Sequence, residues 1–236
     1  MNIHSYPTLP EATAAAGEYL NELLTDHKKS HILLLLSGGS SLAVLDYVNT
    51  SPLGENLTIT MLDERFSQEP EINNFLKLQK LDFYSGALAA GVNFIGTLPR
   101  PGENLEDMRY RMETNLRTWQ KDHPRGKIFA VFGMGSDGHT AGIFPFEEDA
   151  QFFSENFENR HYVAGYKADG KHKYPERLTA TFPFFKNIDE AILFACGHEK
   201  KEALSQLIKG AEQPHRLPAL GIYETKNFSI FTDIAL

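Results

Sequence analysis

The chain has 236 residues, room for one large domain or two small ones at roughly 100–200 residues each, and enough to bury a core without staples. Hydrophobic residues make up 42% and charged residues 23%, an ordinary globular balance that excludes disorder and fibrous folds. With 31 acidic and 23 basic side chains the formal net charge is -8, which argues against a surface built for nucleic acid or anionic lipid.

In chain order, Ala12, Ala15, Ala16, Tyr19, Leu20, Leu23 and Leu24 recur at three- and four-residue spacing and predict an amphipathic helix, with Thr8 and Glu11 as its capping box. His31–Leu36 is a short apolar run with no polar face, the pattern of a strand inside a parallel sheet. Leu57–Leu62 predicts a second strand, Asn73–Leu81 a helical stretch and Val92–Ile95 a short strand. Leu105, Met108, Met112, Leu116 and Trp119 mark a long amphipathic helix, and Lys127–Phe132 the next strand. Phe146–Arg160 is acidic and aromatic without a clear period, so it is expected to be a long loop or small excursion near the site. Strands near Tyr162–Gly165, Leu178–Phe182, Ala191–Cys196 and Phe228–Phe231, with a helix from about Glu199 to Ile208, complete the pattern. Alternating strands and helices imply one α/β domain over residues 1–236, Rossmann-like, with a mostly parallel sheet and helices on both faces.

The only cysteine, Cys196, forbids an intrachain disulfide and suits a reducing compartment. Met1–Pro10 lack the basic and apolar regions of a signal peptide, and no apolar run approaches the ~20 residues that cross a bilayer. The expectation is a cytoplasmic protein without a membrane or nucleic-acid partner.

In open α/β sheets ligands bind beyond the carboxyl ends of the strands, which directs attention to three polar segments. Ser37-Gly38-Gly39-Ser40-Ser41 joins a strand to an apparent helix. Its glycines permit a tight turn, and the helix start offers free N–H groups to an anion. It lacks the Lys-Ser/Thr of a nucleotide P-loop, and the plain alternative is a structural turn capped by Ser40 or Ser41. Asp63-Glu64-Arg65 sets a guanidinium able to grip a phosphate bidentately beside a carboxylate able to orient a hydroxyl; a local ion pair is the plain alternative. Gly133-Met-Gly-Ser-Asp137-Gly-His139-Thr-Ala-Gly142 is the most informative, a glycine-rich turn that projects Asp137 and His139 at the sheet edge. Histidine titrates near pH ~6.5, so His139 suits a general base, with Asp137 orienting it. Lys200, in the turn after another apolar strand, is a point charge that could reach a phosphate. Arg177 opens a strand, the edge away from such a site unless that strand runs antiparallel. No metal-ligand spacing, Gly-x-Ser-x-Gly elbow or reactive cysteine setting is present in the sequence.

Ser37-Gly-Gly-Ser, Asp63-Glu-Arg65, Gly133-x-Gly-x-Asp-Gly-His-Thr-Ala-x-x-Phe-Pro145, Glu176-Arg-x-Thr-x-Thr181, Gly197-x-x-Lys200 and Leu217-Pro-Ala219 occur here in an order that resembles the 6-phosphogluconolactonases. The resemblance implies hydrolysis of 6-phospho-D-glucono-1,5-lactone to 6-phosphogluconate in the oxidative pentose phosphate pathway, with no cofactor and no metal. It implies His139 as the base that activates water. Arg65 and Lys200 are then the phosphate candidates, Gly38, Gly39 and Ser40 line the ligand, and Asp63 and Asp137 are polar site residues.

Two other readings compete. The related glucosamine-6-phosphate isomerases/deaminases share Asp-Gly-His, but typically continue to a glutamate before the proline, where this chain has Phe144 before Pro145. A non-catalytic sugar-phosphate-binding module would usually accompany a DNA-binding segment, and the ~30 residues before the first strand hold no basic helix-turn-helix.

Overall fold

The computed structural model describes residues 1–235. In chain order the elements are β1 (Asn2–Ser5), α1 (Leu9–Asp26), β2 (Ile32–Leu36), β3 (Leu57–Met61), β4 (Asp63–Arg65), α2 (Asn74–Leu78), α3 (Asp82–Ala89) and β5 (Asn93–Ile95). There follow α4 (Leu105–Asp122), β6 (Lys127–Gly133), α5 (Ala150–Phe153), β7 (Val163–Lys167), β8 (Glu176–Ala180), α6 (Phe182–Phe185), β9 (Glu190–Phe194), α7 (Lys201–Lys209) and β10 (Phe228–Thr232).

Seven strands form one parallel sheet in the order β1-β10-β9-β6-β2-β3-β5. β2 is apolar throughout because both of its faces are covered. Leu33 and Leu35 share one core with Met108, Met112, Leu116 and Trp119 of α4. Ile32, Leu34 and Leu36 face the other, with Ala12, Ala16, Leu20 and Leu24 of α1. The predicted mostly parallel α/β sheet with helices on both faces is therefore observed. Among the described residues, no helix is long and apolar enough to cross a membrane.

Several local expectations need correction. The chain begins with a strand, not a helix: Asn2–Ser5 pairs with β10, Ile3 opposite Ile230, and as an exposed edge with one aliphatic residue it carries no apolar period. The Thr8 cap is half a capping box. Thr8 Oγ1 accepts the Glu11 N–H, but the Glu11 carboxylate takes the Thr8 hydroxyl rather than its backbone N–H. The segment after Gly38 is a 3₁₀ helix over Gly39–Tyr47, with Gly38 rather than a serine at its cap. Asn73 caps α2, which ends after Leu78, so the helical stretch to Leu81 is broken.

Residues 146–160 are not a loop. α5 runs into a π-helical turn over Ser154–Glu158, and Phe153 and Phe157, four apart, are buried among Phe182 and Tyr166 while Glu147, Glu148, Glu155 and Glu158 face solvent. The change from α to π winding is what hides the period.

The strands at β7 and β8 do not join the parallel sheet. With β4 they make a separate antiparallel sheet, β4-β8-β7. The short 168–175 connection cannot make a parallel crossover, which needs about a dozen residues or more. β8 covers Glu176–Ala180, and Phe182-Pro183 starts α6 where a strand to Phe182 was expected. Leu62 links the two sheets: its N–H donates to Leu36 O at 2.8 Å, and its carbonyl accepts the Ala180 N–H at 2.9 Å.

Candidate functional site

The carboxyl ends of β2, β3 and β6 lie in register, Leu36 opposite Met61 on one side and Val131 on the other. The three polar segments therefore leave the sheet as neighbours.

After β6 the chain folds back on itself through bridges Met134–Thr140 and Thr140–Ile143. Gly135 N–H donates to His139 O at 2.9 Å, and Thr140 Oγ1 to Gly133 O at 2.7 Å. Gly138 sits at φ +78° against Leu217, and its carbonyl accepts the Ala219 N–H at 2.9 Å, which brings Leu217-Pro-Ala219 to the turn. His139 Nδ1 lies 2.6 Å from Asp137 Oδ1, which also accepts the His139 backbone N–H at 3.1 Å. Partial burial works to raise the Asp137 carboxyl, but the hydrogen bond and charge of His139 outweigh it and hold it below the usual value. An ionised Asp137 keeps the imidazole proton on Nδ1 and leaves Nε2 free to accept.

Gly135 has no left-handed φ; its role is clearance. A Cβ there would overlap the His139 ring and press on Asp137 Oδ1. Gly135→Ala is expected to displace the His139 ring by ~1 Å and, on the general-base reading proposed below, to lower kcat by about a hundredfold. Steady-state kinetics beside a circular dichroism melt would check it, the melt showing that the fold survives.

On the other side of β2, Gly38 lies where a Cβ would overlap the Asn74 side chain, and Gly39 takes φ +75° with open space around it. Ser40 is exposed. Asn74 Nδ2 donates to Asp63 O at 3.1 Å, while Asn74 Oδ1 and Ser37 Oγ are buried without a partner among the described residues. The buried Asp63 also borders the β6 turn, because a Cβ on Gly142 would come within 3.2 Å of its own Cβ. Gly142 is clamped from the small sheet, its N–H donating to Thr179 Oγ1 at 3.1 Å and its carbonyl accepting the Tyr166 hydroxyl.

Glu64 is a structural carboxylate. It accepts the N–H groups of Asn74 (2.6 Å), Phe75 (2.9 Å) and Arg65 (2.8 Å) and the Thr97 hydroxyl (2.7 Å). Burial pushes it up to about 7 against the pull of those four donors. The folded state thus keeps a proton that the unfolded chain releases near its ordinary 4.5, and this contribution to stability is full below that pH and lost as pH rises toward 7. Glu64→Gln is expected to melt lower, by about 1–3 kcal/mol for an orphaned Phe75 N–H, and to flatten the stability change across that window. Chemical denaturation at several pH values measures both.

Arg65 and Arg177 face each other across the β4–β8 pair. Because that pair is antiparallel, the start of β8 comes to the site, and the residue that sequence alone left at the far edge is brought beside Arg65. Arg177 is 2% exposed, with Nε and Nη2 buried and without a partner among the described residues. Arg65 donates through Nη1 to Ile72 O at 3.1 Å, but its Nε too is unpaired. Burial and the neighbouring Arg65 charge lower Arg177 below the usual arginine value, opposed by Asp63. Two adjacent guanidiniums with spare donors form a site for an anion.

Phe144 joins the halves. Its ring is 4.8 Å from that of His139, 5.9 Å from that of His172 and 5.2 Å from Arg177 Cζ. Two open clefts of about 490 and 480 Å³ flank the hairpin 168–175, one lined by Asp137, Phe144 and Lys171, the other by Arg65, Phe66, Lys173 and Tyr174.

Lys200 ends a 3₁₀ turn, His198–Lys200, after β9. Its charge bears on Cys196, whose thiol burial pushes up to about 12. From β9 to β3 is three strand spacings, about 14 Å at ~4.8 Å each. Lys200 and Arg65 thus stand on opposite sides of the turns that leave β6 and β2. Sequence reasoning passed over His172, Asn74 and the structural part of Glu64; the usable signal was the basic Lys171-His172-Lys173 stretch just before Pro175-Glu176-Arg177.

A family model described as glucosamine-6-phosphate isomerases/6-phosphogluconolactonase matches residues 7–231, and the chain belongs to that family. A 6-phosphogluconolactonase of Xylella fastidiosa is 30% identical over 198 residues, 82% of this chain and 79% of that protein. One from Helicobacter pylori is 27% identical over 229 residues, covering 95% and 93%. Among solved structures, the Trypanosoma brucei 6-phosphogluconolactonase superposes with TM-score 0.73 at 18% identity, covering 98% of this chain and 95% of its own. A monomeric glucosamine-6-phosphate deaminase gives TM-score 0.74 at 16% identity, covering 98% and 97%. At these identities the structures establish the shared fold.

Proposed function

We propose that this chain hydrolyses 6-phospho-D-glucono-1,5-lactone to 6-phosphogluconate, with His139 as general base. The observation that carries the reading is the Asp137–His139 pair, 2.6 Å apart, set beside two arginines with unpaired donors: a proton acceptor and an anion site in one place. The family and the 6-phosphogluconolactonase relatives support it.

A water on His139 Nε2 gives its proton to that nitrogen while its oxygen attacks the lactone carbonyl carbon, and the carbonyl π pair moves to oxygen. Backbone N–H groups of the glycine turns can hold the oxyanion. As the intermediate collapses, the bond from that carbon to the ring oxygen breaks and the ring oxygen takes the proton from Nε2. Asp137 stays ionised throughout and stabilises the imidazolium. The phosphate lies over the Gly38–Gly39–Ser40 turn, reached by Arg65 and Arg177 from one side and by Lys200 from the other. Its binding energy positions a carbon that it does not touch. Asp63 orients Asn74 against Gly38 and so shapes the floor of that turn.

The deaminase reading fits less well. The position before Pro145 holds Phe144, 4% exposed and packed on His139, so it offers no second carboxylate for moving protons between carbons. The test generates the lactone in place from glucose-6-phosphate with glucose-6-phosphate dehydrogenase and follows 6-phosphogluconate. Acceleration over spontaneous hydrolysis is expected. Ammonia release from glucosamine-6-phosphate without that acceleration would reverse the assignment.

A further inference from the structure

The hairpin between β7 and β8 carries a side chain that the mechanism does not use. His172 lies between Lys171 and Lys173 in the 168–175 connection. Its Nδ1 accepts the Tyr174 backbone N–H at 3.0 Å. That bond orients the ring, and in the neutral imidazole it places the proton on Nε2, which makes no hydrogen bond to the described residues. The ring stands 5.9 Å from Phe144, the same ring that carries His139 and Arg177.

The charges that bear most on His172 are basic, with Asp137 paired to His139 and Asp169 on the same hairpin as the nearby carboxylates. Arg177 and Arg65 face it from the small sheet and His139 from the β6 turn. On its own hairpin, Lys171 lies over the Phe146 ring at 4.6 Å and Lys173 over the Tyr174 ring at 5.2 Å. Burial first, then Arg177, Arg65 and His139, hold the imidazole below its ordinary value. At neutral pH it is therefore an uncharged donor beside two guanidiniums. Lys171 lines the cleft of Asp137 and Phe144, and Lys173 that of Arg65 and Phe66. His172 thus hangs from the ridge between the reacting end and the phosphate end of the site.

We propose that His172 is a further substrate-binding residue, its Nε2–H donating to a sugar oxygen between the carbon at His139 and the phosphate at Arg65. The identity of the sugar rests on the lactonase reading; the position of the ring does not. Binding a phosphate dianion neutralises the two arginines, so occupancy raises the pH at which His172 takes up its second proton.

The test uses the full chain with His172→Ala and His172→Gln. KM for the phosphorylated lactone is expected to rise about tenfold in the alanine variant, the size of one hydrogen bond, with kcat within about twofold of wild type. Glutamine keeps a donor and should recover most of the loss. The melting temperature should not move, because the residue is exposed. In parallel, the His172 ring of the wild type is titrated by NMR with and without inorganic phosphate, and its midpoint should rise when phosphate binds. A wild-type KM in His172→Ala, equal losses in the two variants, or an unmoved ring titration would each overturn the proposal. A wild type without lactonase activity would overturn the lactonase reading alone, and the phosphate titration would still decide the role of His172.

Discussion

Replacing His139 by alanine is expected to lower kcat by about 10²–10⁴ while affinity for 6-phosphogluconate stays within about threefold. The split follows from where the residue stands. Its ring is fixed by Asp137 Oδ1 at 2.6 Å and by Phe144 at 4.8 Å, and it makes no hydrogen bond to Arg65 or Arg177. The alanine variant therefore loses the proton acceptor and little else. A lactone is an activated ester and hydrolyses slowly without help, so residual turnover is expected. Stopped-time assays of 6-phosphogluconate formation, with calorimetry for product binding, measure the two quantities. Wild-type turnover in the variant would remove His139 as the base. A loss of binding as large as the loss of rate would make it a binding residue.

Replacing Arg177 by methionine is expected to raise KM for the phosphorylated lactone by about a hundredfold, the scale of a lost charge-assisted contact. The same change should leave the melting temperature unchanged or raise it. This second sign distinguishes a binding arginine from a structural one. A guanidinium 2% exposed, opposite another guanidinium and without a carboxylate bonded to Nε or Nη2, opposes folding through desolvation and like-charge repulsion. A methionine of similar length removes both costs. Differential scanning calorimetry and steady-state kinetics on one preparation settle it. A lower melting temperature with an unchanged KM would make Arg177 a structural residue.

Of the candidate site, the Asp137–His139 pair was more legible in the sequence than the two facing arginines. His139 and Asp137 were legible because a glycine-rich turn after an apolar strand is a local signal, complete within ten residues. The central strands were legible for a related reason: burial on both faces leaves β2 apolar from Ile32 to Leu36. Arg177 was not placed, because its position depends on the direction of β8. Strand direction is set by the short hairpin to β7 and by pairing with Asp63–Arg65, more than a hundred residues earlier in the chain. His172 was missed because a Lys-His-Lys stretch in a turn looks like any solvated loop until Phe144 is seen beneath it. The helical turns inside the 146–160 excursion were not legible because its aromatic residues pack at helical spacing only if the winding changes partway.

His139 follows the last strand residue of the seven-stranded sheet's β6, and both arginines belong to the three-stranded sheet. The backbone passes between the sheets at Leu62, whose N–H joins β2 and whose carbonyl joins β8. This division bears on how such a protein can diversify. Substitutions in β7, β8 and their hairpin fall on a small three-stranded sheet that carries both arginines. Substitutions around the Gly133–Gly142 turn disturb a backbone fitted closely to Leu217, Thr179 and the His139 ring. A lineage built on this arrangement can vary the small sheet while the Asp137–His139 pair stays in place.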